Sequence, residues 1–170
     1  MSVLIRLAED RDIPEMATLR AQVWETAAFW VERIGLYLRG EHSPQLALRE
    51  RVAFVAVDAG RIVGFVAGHR THRHACDGEL QWINVDEKLR KRGIAGMLMA
   101  AVASWFVQQQ ALRICVNVAP ENAAAREFYA KYGALQLNDH WMIWEDVRVV
   151  SSFVEKKLQK KPRLHVPEST

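Results

Sequence analysis

Apolar residues along this chain alternate in some stretches and recur at helical spacing in others, and the changes of period mark out its elements. VLIRL at 3–7 predicts a strand. Glu9, Asp10 and Asp12 ahead of IPEMATLRAQVW, with Pro14 in the first turn, supply helix-start chemistry. Residues 27–39, AAFWVERIGLYLR, repeat apolar positions at helical spacing, and SPQLALRE is expected to add a further helical turn. VAFVAV and RIVGFVAGH, joined by Asp58-Ala59-Gly60, predict an antiparallel hairpin. After the polar stretch THRHACDG, ELQWINV at 79–85 reads as a strand, 93–109 as a helix and LRICVNV at 112–118 as a strand. ENAAAREFYAKY then forms a helix ended by Gly133, and LQLN and HWMIWEDV form two closing strands.

No repeat or linker interrupts this β-α-α-β-β-β-α-β-α-β-β order, so residues 1–150 are expected to form a single α/β domain. Residues 151–170 read as a C-terminal extension: a short helix carrying Val150, Phe153, Val154 and Leu158, then a mobile basic tail from about 160. The apolar closing segment WMIWEDVRVVSSFV suggests pairing with a second copy as a homodimer.

Composition narrows the classes of function. With 170 residues, half of them hydrophobic, the chain can bury a substantial core. The net charge of +3 is small, and much of the excess sits at Lys156, Lys157, Lys160, Lys161 and Arg163. A broad basic face is lacking, which argues against a nucleic-acid partner. Cys76 and Cys115 are far apart in sequence and form no metal spacing, which suits a reducing, cytoplasmic setting. The apolar run from Ile94 is too short to span a bilayer, so no membrane role is expected. His69, His72 and His74 would be scattered by a strand and turn, so no metal is expected, and hairpin histidines are usually solvated.

The most suggestive chemistry lies in LRKRGIAGMLM. A helix begins there, and its first turn presents backbone N–H groups without intrahelical partners at the positive end of the macrodipole. Gly93 lets backbone approach a ligand, Ala95 is nearly as small, and Arg90, Lys91 and Arg92 add charge, so a phosphate or pyrophosphate is the expected guest. GxxxxGK[ST] is absent, and GxGxxG fails at Ala95 and Leu98. By itself the remaining R-x-x-G-x-A pattern also fits a solvated connection.

Context adds to it. VDEKLRKRGIAGMLM resembles motif A of the GNAT superfamily of acyl-CoA-dependent N-acyltransferases, [Q/R]-x-x-G-x-[G/A], through Arg90, Gly93 and Ala95. About 30 residues on, ENAAAREFYAKYGA is similar to that family's N-x-x-A-x-x-x-Y-x-x-x-G, with Asn122, Ala125, Tyr129 and Gly133 in register. The likeness covers roughly residues 3–147.

The resemblance implies a mixed, mostly antiparallel sheet of about seven strands flanked by about four helices, with strands 79–85 and 112–118 splayed. Acetyl-CoA as cosubstrate would lie in that split, its diphosphate on Arg90, Lys91, Arg92, Gly93, Ile94, Ala95 and Gly96. Its pantetheine arm would run along main chain near Ile83 and Val85 and meet Asn122, which also suits a helix N-cap. The implied activity is acetyl transfer to a primary amine, a small molecule or a peptide, by direct attack in a ternary complex. The alternative is a catalytically silent acyl-CoA sensor or a protein-interaction domain.

Tyr129 matches the family's acid, which protonates the leaving thiolate, and this role is preferred to that of a core aromatic on an amphipathic helix. Glu79 corresponds to a base that some members use, often through water, and it equally suits an exposed glutamate at a strand start. Asn117 stands where other members carry a base and cannot serve as one, and Ala134 replaces a common Phe. Trp24, Phe29, Trp30 and Trp82, together with Tyr37 and Trp141, are candidates for the acceptor pocket's walls or for core.

Overall fold

The computed structural model describes residues 2–160. The basic tail expected from about residue 160 lies almost wholly outside the described residues. Seven strands form one sheet in the order β1-β2-β3-β4-β5-β7-β6. They are β1 Leu4–Leu7, β2 Ala47–Asp58, β3 Arg61–Thr71, β4 Gly78–Val85, β5 Ile114–Asn117, β6 Leu135–Asn138 and β7 Trp141–Trp144. The helices are α1 Ile13–Ala21, α2 Ala27–Leu38, α3 Ile94–Gln108, α4 Ala123–Lys131 and α5 Val149–Gln159. Every strand pair is antiparallel except β4 with β5.

This is the expected mixed α/β architecture, with one local correction. SPQLALRE adds no helical turn; β2 begins at Ala47 and pairs with Thr71. Apolar side chains from β2 have cores on both faces of the sheet to fill, so Val52 and Ala56 join one cluster while Ala53 and Val55 join the other.

Those two cores assign the helices. Leu98, Val102 and Phe106 of α3 pack on one face with Val66, Leu80, Ile114 and Val116. Met16, Ala17, Trp30 and Ile34 of α1 and α2 pack on the other with Phe65, Ala67 and Trp82. Close approach of α3 depends on Gly78, where an added Cβ would stand 2.5 Å from Phe106 Cε1 and 2.8 Å from Ile114 Cδ1.

Local polar contacts fix the elements around the site. Arg6 donates to both carboxylate oxygens of Asp12 at 2.7 and 2.9 Å, tying β1 to the start of α1. These bonds hold the Asp12 carboxyl below the usual range. Thr26 Oγ1 accepts from the Phe29 N–H at 3.1 Å and caps α2. Trp144 Nε1 donates to the Tyr132 carbonyl at 3.1 Å, fastening the end of α4 to β7.

The closing segment is largely internal. Trp141, Met142, Ile143, Trp144, Val147 and Val150 are all buried within the chain's own cores, so most of the apolar surface that suggested homodimer pairing is not presented to a second copy. Leu135, Val149 and Phe153 remain exposed.

Replacing Gly78 by Ala is expected to destabilise the fold by about 1–3 kcal/mol through overpacking against Phe106. Chemical denaturation of the variant checks this, with an unchanged midpoint as the contrary result.

Candidate active site

The parallel ladder between β4 and β5 stops early. It pairs Gly78 with Ile114, Glu79 with Cys115 and Leu80 with Val116, and goes no further. Beyond it, β4 keeps β3 as a partner as far as Val85 opposite Gly64, and β5 keeps β7 as far as Asn117 opposite Trp141. The two strands therefore part, and main-chain groups of residues 81–85 face a gap rather than a neighbouring strand.

The closed end of this V is tied down separately. Asp77 Oδ2 accepts from the N–H groups of Leu112 and Arg113 at 3.1 and 2.9 Å, while the Asp77 N–H donates to the Arg113 carbonyl at 2.7 Å.

A bulge at Gln81 orients the open part. Ala67 pairs with Trp82 but Gly68 pairs with Leu80, leaving Gln81 as the extra residue. Leu80 accordingly packs on the α3 face while Trp82, two positions on, packs on the α1/α2 face. Ile83 and Val85 return to the α3 side.

The gap opens into a cleft of about 620 Å³. Ile83, Val85, Arg90, Lys91, Gly93, Ile94, Ala95, Gly96, Asn122 and Tyr129 all line it. Arg92 does not, although it is exposed nearby on the same loop. Gly93 stands at the N-cap of α3 with φ +85°, a left-handed conformation that strains any side chain, even though a Cβ there would meet nothing within 4 Å. Glycine is thus needed for the turn itself. Behind it, the first-turn N–H groups of Ile94, Ala95 and Gly96 begin a helix that enters the cleft wall.

Asn122 caps α4, its Oδ1 accepting from the Ala125 N–H at 3.1 Å, and it lines the cleft as well. Tyr129 is 8% exposed and packs edge-on against Phe128 and Trp144. Burial pushes its phenol up to about 12, opposed by the charge of Arg20. The hydroxyl therefore stays protonated at neutral pH.

Glu79 is placed differently from either expectation. It is 3% exposed, not a solvated strand start, and it lies at the zipped end of the V outside the cleft lining. Arg73 Nη1 donates to its Oε1 at 3.2 Å. His69 Nε2 lies 2.8 Å from its Oε2 without an aligned hydrogen bond, and His69 Nδ1 meets the Tyr37 hydroxyl at 2.8 Å. His69, far from solvated, is fully buried as the cross-strand partner of Glu79. No group of three or more His, Cys, Asp or Glu suited to a metal occurs among the described residues.

The aromatic candidates divide. Trp82 lines the cleft, whereas Trp30 is core and Trp24, 59% exposed, forms an edge-on cluster with Phe29 and Trp30 beside it. Tyr37 is core, and Trp141 lines a separate recess of about 260 Å³ with Gln45, Leu46, Arg73 and His74. Sequence reasoning missed Arg20, Gln81, Asn84, Val118, Phe128 and Tyr132, all in the cleft wall. For Arg20 a signal exists: its neighbours at helical spacing, Met16, Ala17, Val23 and Trp24, are all apolar, which leaves its charge without a local partner.

Comparisons with known proteins agree with this fold. The profile of the Acetyltransferase (GNAT) family matches residues 8–134, and the chain belongs to that family. No curated protein sequence matches it. Among solved structures, PaiA N-acetyltransferase from Thermoplasma acidophilum, in complex with coenzyme A, is 14% identical with a TM-score of 0.65, covering 86% of this chain and 99% of its own. Ard1 from Thermoplasma volcanium is 25% identical with a TM-score of 0.63, over 85% and 97% of the two chains. The GNAT family N-acetyltransferase YhbS from Escherichia coli, in complex with CoA, is 18% identical with a TM-score of 0.63, over 87% and 84%. General acyl transfer is the activity this membership supports. No helix among the described residues is long and apolar enough to cross a membrane.

Burial holds all three tyrosine phenols, Tyr37, Tyr129 and Tyr132, above the ordinary value near 10. Each favours the folded state while neutral, so that contribution is complete below pH 10 and falls as pH rises through the folded values. Absorbance at 295 nm is expected to show far less tyrosinate at pH 10 in the native protein than in urea; equal ionisation would contradict the buried cleft wall.

Proposed function

We propose that the protein is an N-acetyltransferase that moves the acetyl group of acetyl-CoA to a primary amine by direct attack within a ternary complex. The single observation that carries this reading is the truncated β4–β5 ladder, which opens one cleft onto a left-handed glycine turn, a helix N-terminus and a protonated tyrosine.

The cleft fits coenzyme A on its own chemistry. Among its lining residues Arg20, Arg90, Lys91 and Lys131 are cationic and none is acidic, which suits a polyanion. Main-chain N–H groups at Ile94, Ala95 and Gly96 would hold the diphosphate, with Arg90, Lys91 and the flanking Arg92 adding long-range attraction. Residues 81–85 would pair with the pantetheine amides as an added strand would, and Asn122 would contribute its amide nitrogen while its oxygen caps α4. When bound, acetyl-CoA supplies an activated acyl carbon and a thiolate leaving group.

The protein's part is placement and proton handling. A main-chain N–H near Ile83 or Val85 would stabilise developing negative charge on the carbonyl oxygen. Tyr129 would donate its proton to the departing sulfur, a role for which a phenol neutral at working pH is suited. Glu79 is the proposed final acceptor of the amine's proton. Because it does not line the cleft, that proton would reach it through solvent past Arg73, which donates to its Oε1.

The enclosure of Glu79 behind Arg73 also favours a second reading, a silent acyl-CoA sensor. Thiol release measured over a panel of primary amines decides between them. Under the transferase reading some amine supports turnover, and Tyr129→Phe lowers kcat by about 10²–10⁴-fold with little change in acetyl-CoA affinity. No turnover with any amine, alongside intact acetyl-CoA binding, selects the sensor. Gly93→Asp, which strains the turn and places negative charge at the helix N-terminus, is expected to weaken acetyl-CoA binding by at least about tenfold in calorimetric titration.

A further inference from the structure

Of the cations in the cleft, Arg20 stands apart from the coenzyme seat proposed above. Arg20, at the end of α1, reaches the cleft from the α1/α2 face of the sheet, beside Gln81, Trp82 and Asn84. It is half-buried, and its guanidinium lies 4.8 Å from the centre of the Trp30 ring. Among the described residues its one side-chain hydrogen bond goes to a neutral amide, Asn84 Oδ1, at the long distance of 3.5 Å. Its Nε is buried with no hydrogen-bond partner among the described residues. Among the described residues no carboxylate stands within 4 Å of it, and no acidic residue lines the cleft.

This is an unusual state for a guanidinium. Buried cations are as a rule paired with an acid or hydrogen-bonded to carbonyls, because desolvation is otherwise uncompensated. Arg51, whose Nε is likewise unpartnered among the described residues, shows the ordinary solution for the rest of the fork, donating to the carbonyls of Tyr37 and His42. Arg20 has no such contacts, and burial draws its pKa below the usual guanidinium value while leaving it charged. A planar fork of donors on a cleft wall, short of acceptors and backed by an indole, is built to receive a planar anion.

We propose that Arg20 is the receptor for a carboxylate carried by one of the two reactants, on the amine acceptor or at the far end of the acyl chain. The proposal rests on the transferase reading for its account of what enters the cleft. The coenzyme's phosphates have a separate seat in the turn at Gly93 and the first turn of α3, on the other side of β4 from α1. Arg20 lies within electrostatic reach of the Tyr129 hydroxyl, so the anion would be held near the reacting groups. Trp82 in the cleft wall and Val23 beside it give the bound molecule an apolar surface next to the charge.

The test compares substrates that differ only in this group. Protein saturated with coenzyme A is titrated calorimetrically with L-leucine, L-methionine and L-phenylalanine, each against its carboxamide, and the free protein is titrated with succinyl-CoA against acetyl-CoA. In at least one arm the carboxylate-bearing member is expected to bind about ten- to a hundredfold more tightly to the wild type. That preference is expected to vanish in Arg20→Gln and to persist in part in Arg20→Lys. A preference confined to the amino acids places the carboxylate on the acceptor, and one confined to succinyl-CoA places it on the acyl chain.

Equal affinities in every pair, or a preference that survives Arg20→Gln, overturn the proposal. So does an Arg20→Gln variant that loses acetyl-CoA affinity alone, which would make Arg20 part of the coenzyme site. These titrations need no turnover, so a carboxylate preference without thiol release would count against the transferase reading and leave the receptor standing.

Discussion

The site depends on where one short parallel ladder ends. Antiparallel neighbours hold β4 and β5 along their outer edges, while between them pairing is confined to the end tied by Asp77. Unpaired main-chain groups are costly in a buried sheet unless a partner arrives. A split that persists in the folded chain thus leaves main-chain groups of β4 open to a partner. Longer pairing would close the cleft, and no pairing would leave its walls without a fixed angle.

Much of the architecture was legible in the sequence. Changes between period 2 and helical spacing located nearly every element, and Gly93, Asn122 and Tyr129 fell where the family patterns place them in one wall. What escaped was decided by tertiary partners. LALRE carries no alternation strong enough to outweigh a helical reading, and it became strand because β3 offered an edge at Thr71. His69 read as solvated, and Glu79 as either a base or an exposed strand-start residue, because each, taken alone, is polar. Opposite each other on neighbouring strands, with Arg73 and Tyr37 closing the ends, they form a buried polar chain. The aromatic residues were equally ambiguous, since nothing in the sequence says that Trp30 covers a core while Trp82 meets the cleft.

The cleft has an electrostatic character of its own. Arg90 and Lys91 at the α3 end are exposed, whereas Arg20 is half-buried in the wall. Tyr129 sits under the influence of that inner charge, and desolvation still outweighs it. Burial is therefore the dominant cause of the phenol's state, and the helix that carries it is fastened to β7 by the bond from Trp144 to the Tyr132 carbonyl.

The bulge at Gln81 gives β4 a change of parity. Upstream, odd-numbered residues look toward α2; downstream, odd-numbered residues look toward α3. One strand thereby serves two tenants without a second strand being recruited: Glu79 keeps company with Tyr37 and His69, while Ile83 and Val85 turn to the compartment shared with α3. A single extra residue, not a loop or a domain boundary, sets the partition between the two.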